Sequence, residues 1–527
     1  MGQRFNRAAM GFLTDFGGQV IGTLVGFVAT PIILSLTSQS LYGFWVTSLS
    51  VVGLLGIIDL GMSVSLTQRV ASLGIQPEGR ALSRLASSAL LFLLLVSLLF
   101  GGLGWAVSLL FPGWFNVPPD KIHDVVLTFR LLVLSGMITT LMGTFGAIVY
   151  AIQRMFVINV VTLVVSLSST VLSIALLTWG FGLPALALAN LVTALAGGLA
   201  HLWIAKAYCP QLEIRLRHVN RSDLQRLLSF AGYSQLTKLA NTVQLMAGSP
   251  IIASALGSAA VTRYAFTSKV PMLFSTVVAS KPPLALMPAL SEMFGQNDTE
   301  RLRRAFVMLA HYSVRLGFIF ATFVAVANKQ FVSLWVGQEN FGGALLNVVF
   351  VYWALQETFY RMTTILVYAS GDLRPWAFVS LAEAGLNVIA SVILVRYMGP
   401  AGVALGTSIG KTFTTAPFVP YWICRKLRIP IRAFVWHGVF RPAIRCFPTV
   451  LITAVFAAML FPYYQGWLWI GAVGLVAGIT NVLTFELVYF VTLTDVPFRV
   501  RLQRIMKLEY DASDCSWLRT ASKDAQS

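Results

Sequence analysis

The chain has 527 residues, 57% of them hydrophobic and only 11% charged, with a mean hydropathy of +0.77. Soluble domains carry charge on about a quarter of their residues, so a water-soluble globular fold is excluded and a membrane protein is the fitting class. The net charge of +18 would suggest nucleic acid in a soluble chain; here no zinc-finger, basic-zipper or RNA-binding pattern accompanies it, and Lys and Arg gathered in cytoplasmic loops explain it better.

A helix needs about 20 mostly apolar residues to span a bilayer, and roughly fourteen such runs are predicted. The first six are Phe12–Leu36, Tyr42–Leu66, Leu85–Phe111, Val125–Tyr150, Phe156–Trp179 and Pro184–Ala207. After a polar break come Phe230–Ala255, Val270–Phe294, Ala305–Ala327, Gly343–Ala369, Trp376–Met398 and Ala401–Cys424. The last two are Ile444–Phe461 and Trp467–Leu493, followed by a charged tail, Arg499 to Ser527, read as a short amphipathic helix and then disorder. The first run follows Arg4 and Arg7 as a signal peptide would. It is too long for one and no small-residue cleavage site closes it, so it reads as a membrane helix.

Loop charge sets the orientation. Putting the basic breaks near Arg80–Arg84, Arg215–Arg226, Arg301–Arg304 and Arg425–Arg445 inside leaves roughly 27 of the 38 Lys and Arg cytoplasmic, about 5 outside and 6 embedded. Both termini are then cytoplasmic. Trp45, Trp114, Trp179, Trp335 and Trp467 mark the outer interface, and Trp376 and Trp422 the inner one. Cys209, Cys424, Cys446 and Cys515 fall on the reducing side without metal-ligand spacing, so neither disulfides nor a metal site is expected.

The sequence repeats itself. Pro31-Ile32-Ile33-Leu34-Ser35 recurs as Pro250-Ile251-Ile252-Ala253-Ser254, Tyr150-Ala151 as Tyr368-Ala369, and Gly182 with Ala187-Leu188 as Gly399 with Ala404-Leu405. The offsets are all about 217–219 residues, or six helices with their loops, as a duplicated bundle requires. Six is even, so the halves run parallel. The expected organisation is an N-terminal six-helix bundle (1–207), a basic cytoplasmic linker (208–229), a C-terminal six-helix bundle (230–424), a basic loop (425–443), two extra membrane helices (444–493) and a cytoplasmic tail (494–527).

Six cations lie inside apolar runs: Arg130, Lys238, Lys281, Arg315, Arg361 and Lys411. An embedded charge costs several kcal/mol unless it faces water, a partner or an anion, so their number points to a cationic, water-filled cavity and an anionic cargo. On the first helix Asp15, Gln19, Gly22, Gly26 and Thr30 share one side; the repeat offset maps them to Ser234, Lys238, Asn241, Leu245 and Ser249 on the seventh. These read as two walls of one cavity. Gly18, Gly22 and Gly26 also form a small-residue stripe, and helix packing is the favoured reading for Gly22 and Gly26. With a short gap Tyr42 aligns with Tyr264, which sets Asp59 opposite Lys281. That pair is either an anion site with a carrier carboxylate or a static ion pair. Pro282-Pro283 should break or kink the eighth helix. Glu357 and Arg361 are spaced for an intrahelical pair. Arg315, with His311 one turn away, and Lys411 can anchor neighbouring helices and rank below Lys238, Lys281 and Arg361. Arg130 sits near an outer end and should snorkel. Glu383 and Glu486 are read as nearer the inner interface. Asn241, Gln244 and Gln356 can hydrogen-bond sugar hydroxyls.

No Walker-type loop, His-Glu-x-x-His or long outer loop is present, so neither ATP chemistry nor a catalytic domain is expected.

Pro31-Ile-Ile-Leu-Ser-Leu, Tyr42-Gly43-Phe44-Trp45 and Asp59-Leu60-Gly61-Met62 resemble the start of oligosaccharide flippases of the polysaccharide transport (Wzx-type) group, within the multidrug/oligosaccharidyl-lipid/polysaccharide (MOP) exporter superfamily. Met287-Pro288-Ala289-Leu290-Ser291, with Gly295-Gln-Asn-Asp298 and Arg301-Leu-Arg-Arg, is similar to the end of that group's eighth helix and its following loop. The resemblance implies an all-α polytopic fold, with two six-helix bundles in a V around a central cavity and two C-terminal helices in addition. It implies a non-enzymatic flippase in a bacterial inner membrane. Such a protein moves a polyprenyl-diphosphate-linked oligosaccharide from the cytoplasmic to the outer leaflet by alternating access, coupled to a proton or sodium ion and without any other cofactor. Lys238, Lys281, Arg361, Arg315, Lys411, Asn241, Gln244 and Gln356 are the candidate substrate contacts; Asp59, Glu357 and Asp15 are the candidate ion-coupling carboxylates. Membrane lipids, a polysaccharide polymerase and glycosyltransferases are the candidate partners, with no nucleic acid. The alternatives are a peptidoglycan-precursor flippase, a multidrug cation antiporter, which would want an acidic cavity, and a membrane polysaccharide polymerase.

Overall fold

The computed structural model describes residues 2–59, 61–74, 79–229, 232–463 and 466–492. The side chains of Asp59, Lys281 and Glu486, residue Cys515 and the segment Arg499 to Ser527 lie outside the described residues. The chain divides into two compact units, Met1–Thr262 and Arg263–Ser527.

The first unit runs α1 (Gly2–Leu36), α2 (Gln39–Leu55), α3 (Met62–Ser72), α4 (Gly79–Trp114), α5 (Ile122–Ala151), α6 (Met155–Thr178), α7 (Pro184–Tyr208), the short α8 (Arg221–Ser229), α9 (Gly232–Met246) and α10 (Gly248–Leu256). Its core gathers Met62, Leu66, Leu82, Leu93, Phe145, Ile148 and Ile204 from α3, α4, α5 and α7. The second unit runs α11 (Ser258–Leu273, its first turn in the first unit), α12 (Lys281–Gly295), α13 (Thr299–Val336), α14 (Ala344–Thr363), α15 (Ile365–Ala369), α16 (Leu373–Met398), α17 (Pro400–Phe413), α18 (Thr415–Leu427), α19 (Ile431–Phe434), α20 (Arg441–Leu460) and α21 (Trp467–Thr492). Here Phe306, Leu366, Trp376, Val419, Ile423 and Phe434 form one core, while Ala327, Ala457, Trp469 and Val473 join α13 to α20 and α21.

Among the described residues ten helices are long and apolar enough to cross a membrane. The other four predicted runs are apolar too, but each is interrupted. The second breaks into α2, a 3-10 turn (Gly56–Asp59) and α3; Gly61, at φ +71°, is the point where the chain turns. The eighth breaks at a π-helix, Phe274–Ala279, just ahead of the Lys281-Pro282-Pro283 that opens α12. The tenth breaks at Thr364, where Thr363 and Thr364 hydroxyls donate to the carbonyls of Phe359 and Tyr360 and bend the helix. The twelfth breaks at Thr414, because Pro417 cannot donate to the Phe413 carbonyl.

The repeated motifs occupy matching places. Gly182 and Gly399 both have left-handed φ, +63° and +60°, and precede helices with proline in their first turn. α5 and α15 both end on Tyr-Ala. The Ser40 and Ser258 hydroxyls, one repeat apart in sequence, lie 2.8 Å from each other.

Two of the tryptophans assigned to interfaces are buried within the protein. Trp335 packs edge-on against Phe266, and Trp376 donates from its indole N–H to the Tyr368 hydroxyl. Cys209, Cys424 and Cys446 are buried free thiols.

Proline also explains how α11 is held. Pro271 has no N–H for the Thr267 carbonyl one turn back. Asn328 of α13 supplies the missing donor at 3.0 Å and also donates to Asn347 Oδ1 at 2.8 Å. Asn347 in turn donates to the Val324 carbonyl, and Thr267 Oγ1 accepts from the Gly342 N–H. Asn328→Ala leaves two buried acceptors without donors and is expected to cost about 3 kcal/mol, read as a lower Tm of the detergent-solubilised protein. A drop under about 1 kcal/mol would mean that water reaches these carbonyls.

Candidate functional site

Three interrupted helices of the second unit bring their breaks to one buried charge cluster. Glu357 and Arg361 stand one turn apart near the end of α14, Lys411 near the end of α17, Ser275 in the π-helix, Thr415 at the start of α18 and Glu383 midway along α16. Arg361 Nε donates to Glu357 Oε1 at 2.5 Å and to Ser275 Oγ at 2.7 Å, and Ser275 Oγ donates to the same carboxylate at 3.2 Å. Lys411 Nζ donates to Glu357 Oε2 and lies 4.0 Å from Glu383 Oε1. The Thr415 hydroxyl donates to Glu383 Oε2. Glu357 is thus held between two cations, and Lys411 between two carboxylates.

Exposure falls off along this chain of charges. The Arg361 side chain is 35% accessible, whereas those of Glu357, Lys411 and Glu383 are 7%, 10% and 5%. Arg361 is therefore the most accessible member of the cluster, and the other three are buried. In so dry a setting charges survive only by pairing, and these do. A guanidinium offers a fork of N–H donors suited to a phosphate, and among the described residues Glu357 and Ser275 engage its Nε.

The cluster is positioned by α17 lying flat on α16. Gly402, Gly406 and Gly410 repeat every fourth residue, and a Cβ on each would run into α16 backbone at Leu394, Ser391 and Glu383. This small-residue stripe lets the two helices touch and brings Lys411 to Glu383. Beside it, Gln356 spends its amide N–H groups on Tyr352 Oη (3.0 Å), Thr412 Oγ1 (2.7 Å) and the Ser408 carbonyl (3.4 Å).

The structure brings together Arg361, Lys411 and Glu357 from the sequence reading, with Gln356 alongside. Glu383 joins them, as do Ser275 and Thr415, which the sequence reading did not single out. The signal for Glu383 was its place in the middle of an apolar run. Arg315 lies elsewhere: it sits over the Tyr312 ring at 5.9 Å, one turn from His311, which donates to the His437 carbonyl at 2.9 Å. Its helix face is the one against α20. In the first unit Lys238 is exposed on α9 in line with Ser234, Asn241 and Leu245, and Gln244 is half-buried. Asp15 accepts from Gln19 Nε2 at 3.3 Å. Around Gly18, Gly22 and Gly26 there is nothing within 4 Å of an added Cβ. The expected packing role of Gly22 and Gly26 is therefore corrected: that face of α1 is open. Arg130 lies over the Trp105 ring at 4.3 Å, with its Nε donating to Ser108. The Asp59 and Lys281 side chains lie outside the described residues.

Comparison with known proteins agrees with this architecture. A sequence model of the family described as lipid II flippase MurJ matches residues 78–478. EpsK of Bacillus subtilis (strain 168), itself described as an uncharacterized membrane protein, is 22% identical over 409 residues, covering 75% of this chain and 79% of its own length. The solved lipid II flippase MurJ, in an inward closed conformation, superposes with a TM-score of 0.71 at 11% identity over 90% of this chain and 98% of that one. An inward-facing multidrug resistance MATE transporter of the MOP superfamily gives 0.60 at 18% identity over 77% and 98%. At such identities the structures speak to the fold. The family match is the stronger statement, because it spans most of the chain. The protein is a multi-pass membrane transporter rather than an enzyme, and it belongs to the lipid II flippase MurJ family of the MOP superfamily.

Proposed function

We infer that the protein flips a polyprenyl-diphosphate-linked oligosaccharide from the cytoplasmic to the outer leaflet of a bacterial inner membrane, by alternating access coupled to a cation or proton gradient, with both termini cytoplasmic. The observation that carries this reading is the half-exposed Arg361 guanidinium at the rim of a buried charge cluster, at the point where three helices are interrupted. Interrupted helices are where transporters bind and bend. Arginine matches a diphosphate, and dragging such a headgroup through hydrocarbon unaided is prohibitively slow. Lys238, exposed on the polar face of α9, is the second cation of the proposed path, and Lys281 the third. Asn241 and Gln244 would meet the sugars. The duplicated organisation inferred from the sequence fits the matched Gly182 and Gly399 turns.

Deletion of the gene should make lipid-linked oligosaccharide accumulate on the inner leaflet, and purified protein in vesicles should move the headgroup when a proton or sodium gradient is applied. Headgroup movement that needs ATP and no gradient would contradict the reading. Lys238→Ala should slow flipping severalfold at unchanged Tm. Arg130→Ala should leave flipping intact, since Arg130 is taken up by Trp105 and Ser108. Equal effects would remove Lys238 from the path.

A second reading, a peptidoglycan-precursor flippase, is favoured by the family's own description. It uses the same diphosphate recognition. Rescue of a strain depleted of its lipid II flippase would select it over the first.

A further inference from the structure

The two buried carboxylates are not equivalent, and the geometry points to Glu383 as a proton-binding site whose protonation is linked to anion binding at Arg361. This inference rests on the diphosphate reading above. Glu357 is bonded to Arg361, Lys411 and Ser275, so its charge is neutralised from both sides. Glu383 has one hydroxyl donor, Thr415, and a share of Lys411 at 4.0 Å. Among the described residues the groups facing Glu383 are Lys411 from α17, Thr415 from α18, and Glu357 and Tyr360 from α14, with Tyr352 next to Tyr360. With both carboxylates ionised, Glu357, Glu383, Arg361 and Lys411 sum to zero.

A diphosphate at the rim disturbs that balance. It draws the half-exposed Arg361 away from Glu357. Glu357 then holds Lys411 alone, and Glu383 loses its share of positive charge while a polyanion sits nearby. Both changes favour the neutral acid, so Glu383 takes one proton from solvent as the anion binds, and releases it when the anion leaves. By reciprocity a proton on Glu383 tightens anion binding. Loading and protonation are thereby tied through Lys411, which needs only to shift from a shared to a single carboxylate; the proton travels with the anion and offsets part of its charge, so the gradient that drives export acts at another group.

The test is calorimetry of inorganic diphosphate binding to the full-length protein in buffers of different ionisation heat, which counts protons taken up. Wild type is expected to take up about one proton more than Glu383→Gln under the same conditions; the ligand's own titration is common to both and cancels. Glu383→Gln should bind diphosphate with an affinity that varies about tenfold less per pH unit than wild type across the wild-type transition. Thr415→Val removes a hydrogen bond to the ionised form, so its uptake profile should move to higher pH. Equal proton counts in wild type and Glu383→Gln, or an unmoved profile in Thr415→Val, would overturn the linkage while leaving anion binding standing. Absence of any diphosphate binding by wild type would overturn the anion reading, and the linkage with it.

Discussion

Glu357→Gln is expected to destabilise the protein by about 3–5 kcal/mol and to abolish transport, because it leaves Arg361 and Lys411 facing each other across a neutral amide in a buried site. Total stabilities are about 5–15 kcal/mol, so the change removes a large share. Most of this cost is the uncompensated charge rather than a lost contact. Glu357→Gln combined with Lys411→Met should therefore recover more than half of the lost stability, because the second substitution removes the stranded ammonium. Arg361→Gln should cost less in stability than either, since a side chain 35% accessible can turn to water, and more in transport than in Tm. Chemical denaturation of the purified variants measures all three. A single Glu357→Gln cost below about 1 kcal/mol would show that water already screens the cluster.

Gly406→Val is the second large effect. A Cβ there falls on the Ser391 backbone and hydroxyl, and the two further methyl groups have nowhere to go without separating α16 from α17. Overpacking of this kind costs about 3 kcal/mol when the neighbour is backbone and cannot rotate aside. Separation would also break the bonds of Ser391 to the Val403 carbonyl and of Thr407 to Asn387, and would draw Lys411 off Glu383. The expected outcome is little folded protein at 37 °C and, at lower temperature, a depressed Tm. Gly22→Val on the open face of α1 is the control and should leave the unfolding free energy within about 0.5 kcal/mol of wild type. Equal losses at the two glycines would show that helix propensity, not contact, governs both.

Much of the fold was legible because membrane helices announce themselves by length and apolarity. The superfamily was legible from short motifs at the first two helices and at the end of the eighth. The interruption of the eighth helix was legible at Pro282-Pro283; those at Gly61, at Thr414 ahead of Pro417 and where two threonines bend α14 into α15 were not read from the sequence. The charge cluster was half legible. Arg361 and Lys411 stood out as embedded cations and Glu357 was read as the partner of Arg361 from their spacing, but that Lys411 shares it could not be read, because Lys411 reaches Glu357 across 54 positions in sequence. The contact of Glu383 with Lys411 was hidden for the same reason, lying across 28 positions in sequence. The glycine stripes misled in a physical way. Gly18, Gly22 and Gly26 have the same spacing as Gly402, Gly406 and Gly410, and only the second set has a helix lying against it. Periodicity identifies a smooth face; it says nothing of what, if anything, is pressed to it.

α13 carries three polar fastenings at different heights: Arg303 to the Leu427 and Arg428 carbonyls, His311 to the His437 carbonyl and Asn328 to the Thr267 carbonyl. Each catches an acceptor that its own helix leaves unused, at a helix end or before a proline. A mast rigged in this way cannot slide one turn without releasing all its stays together. Shape change within the second unit is then left to the joints around Ser275, Thr364 and Thr414, and amide exchange should be slowest along the mast and fastest at those joints.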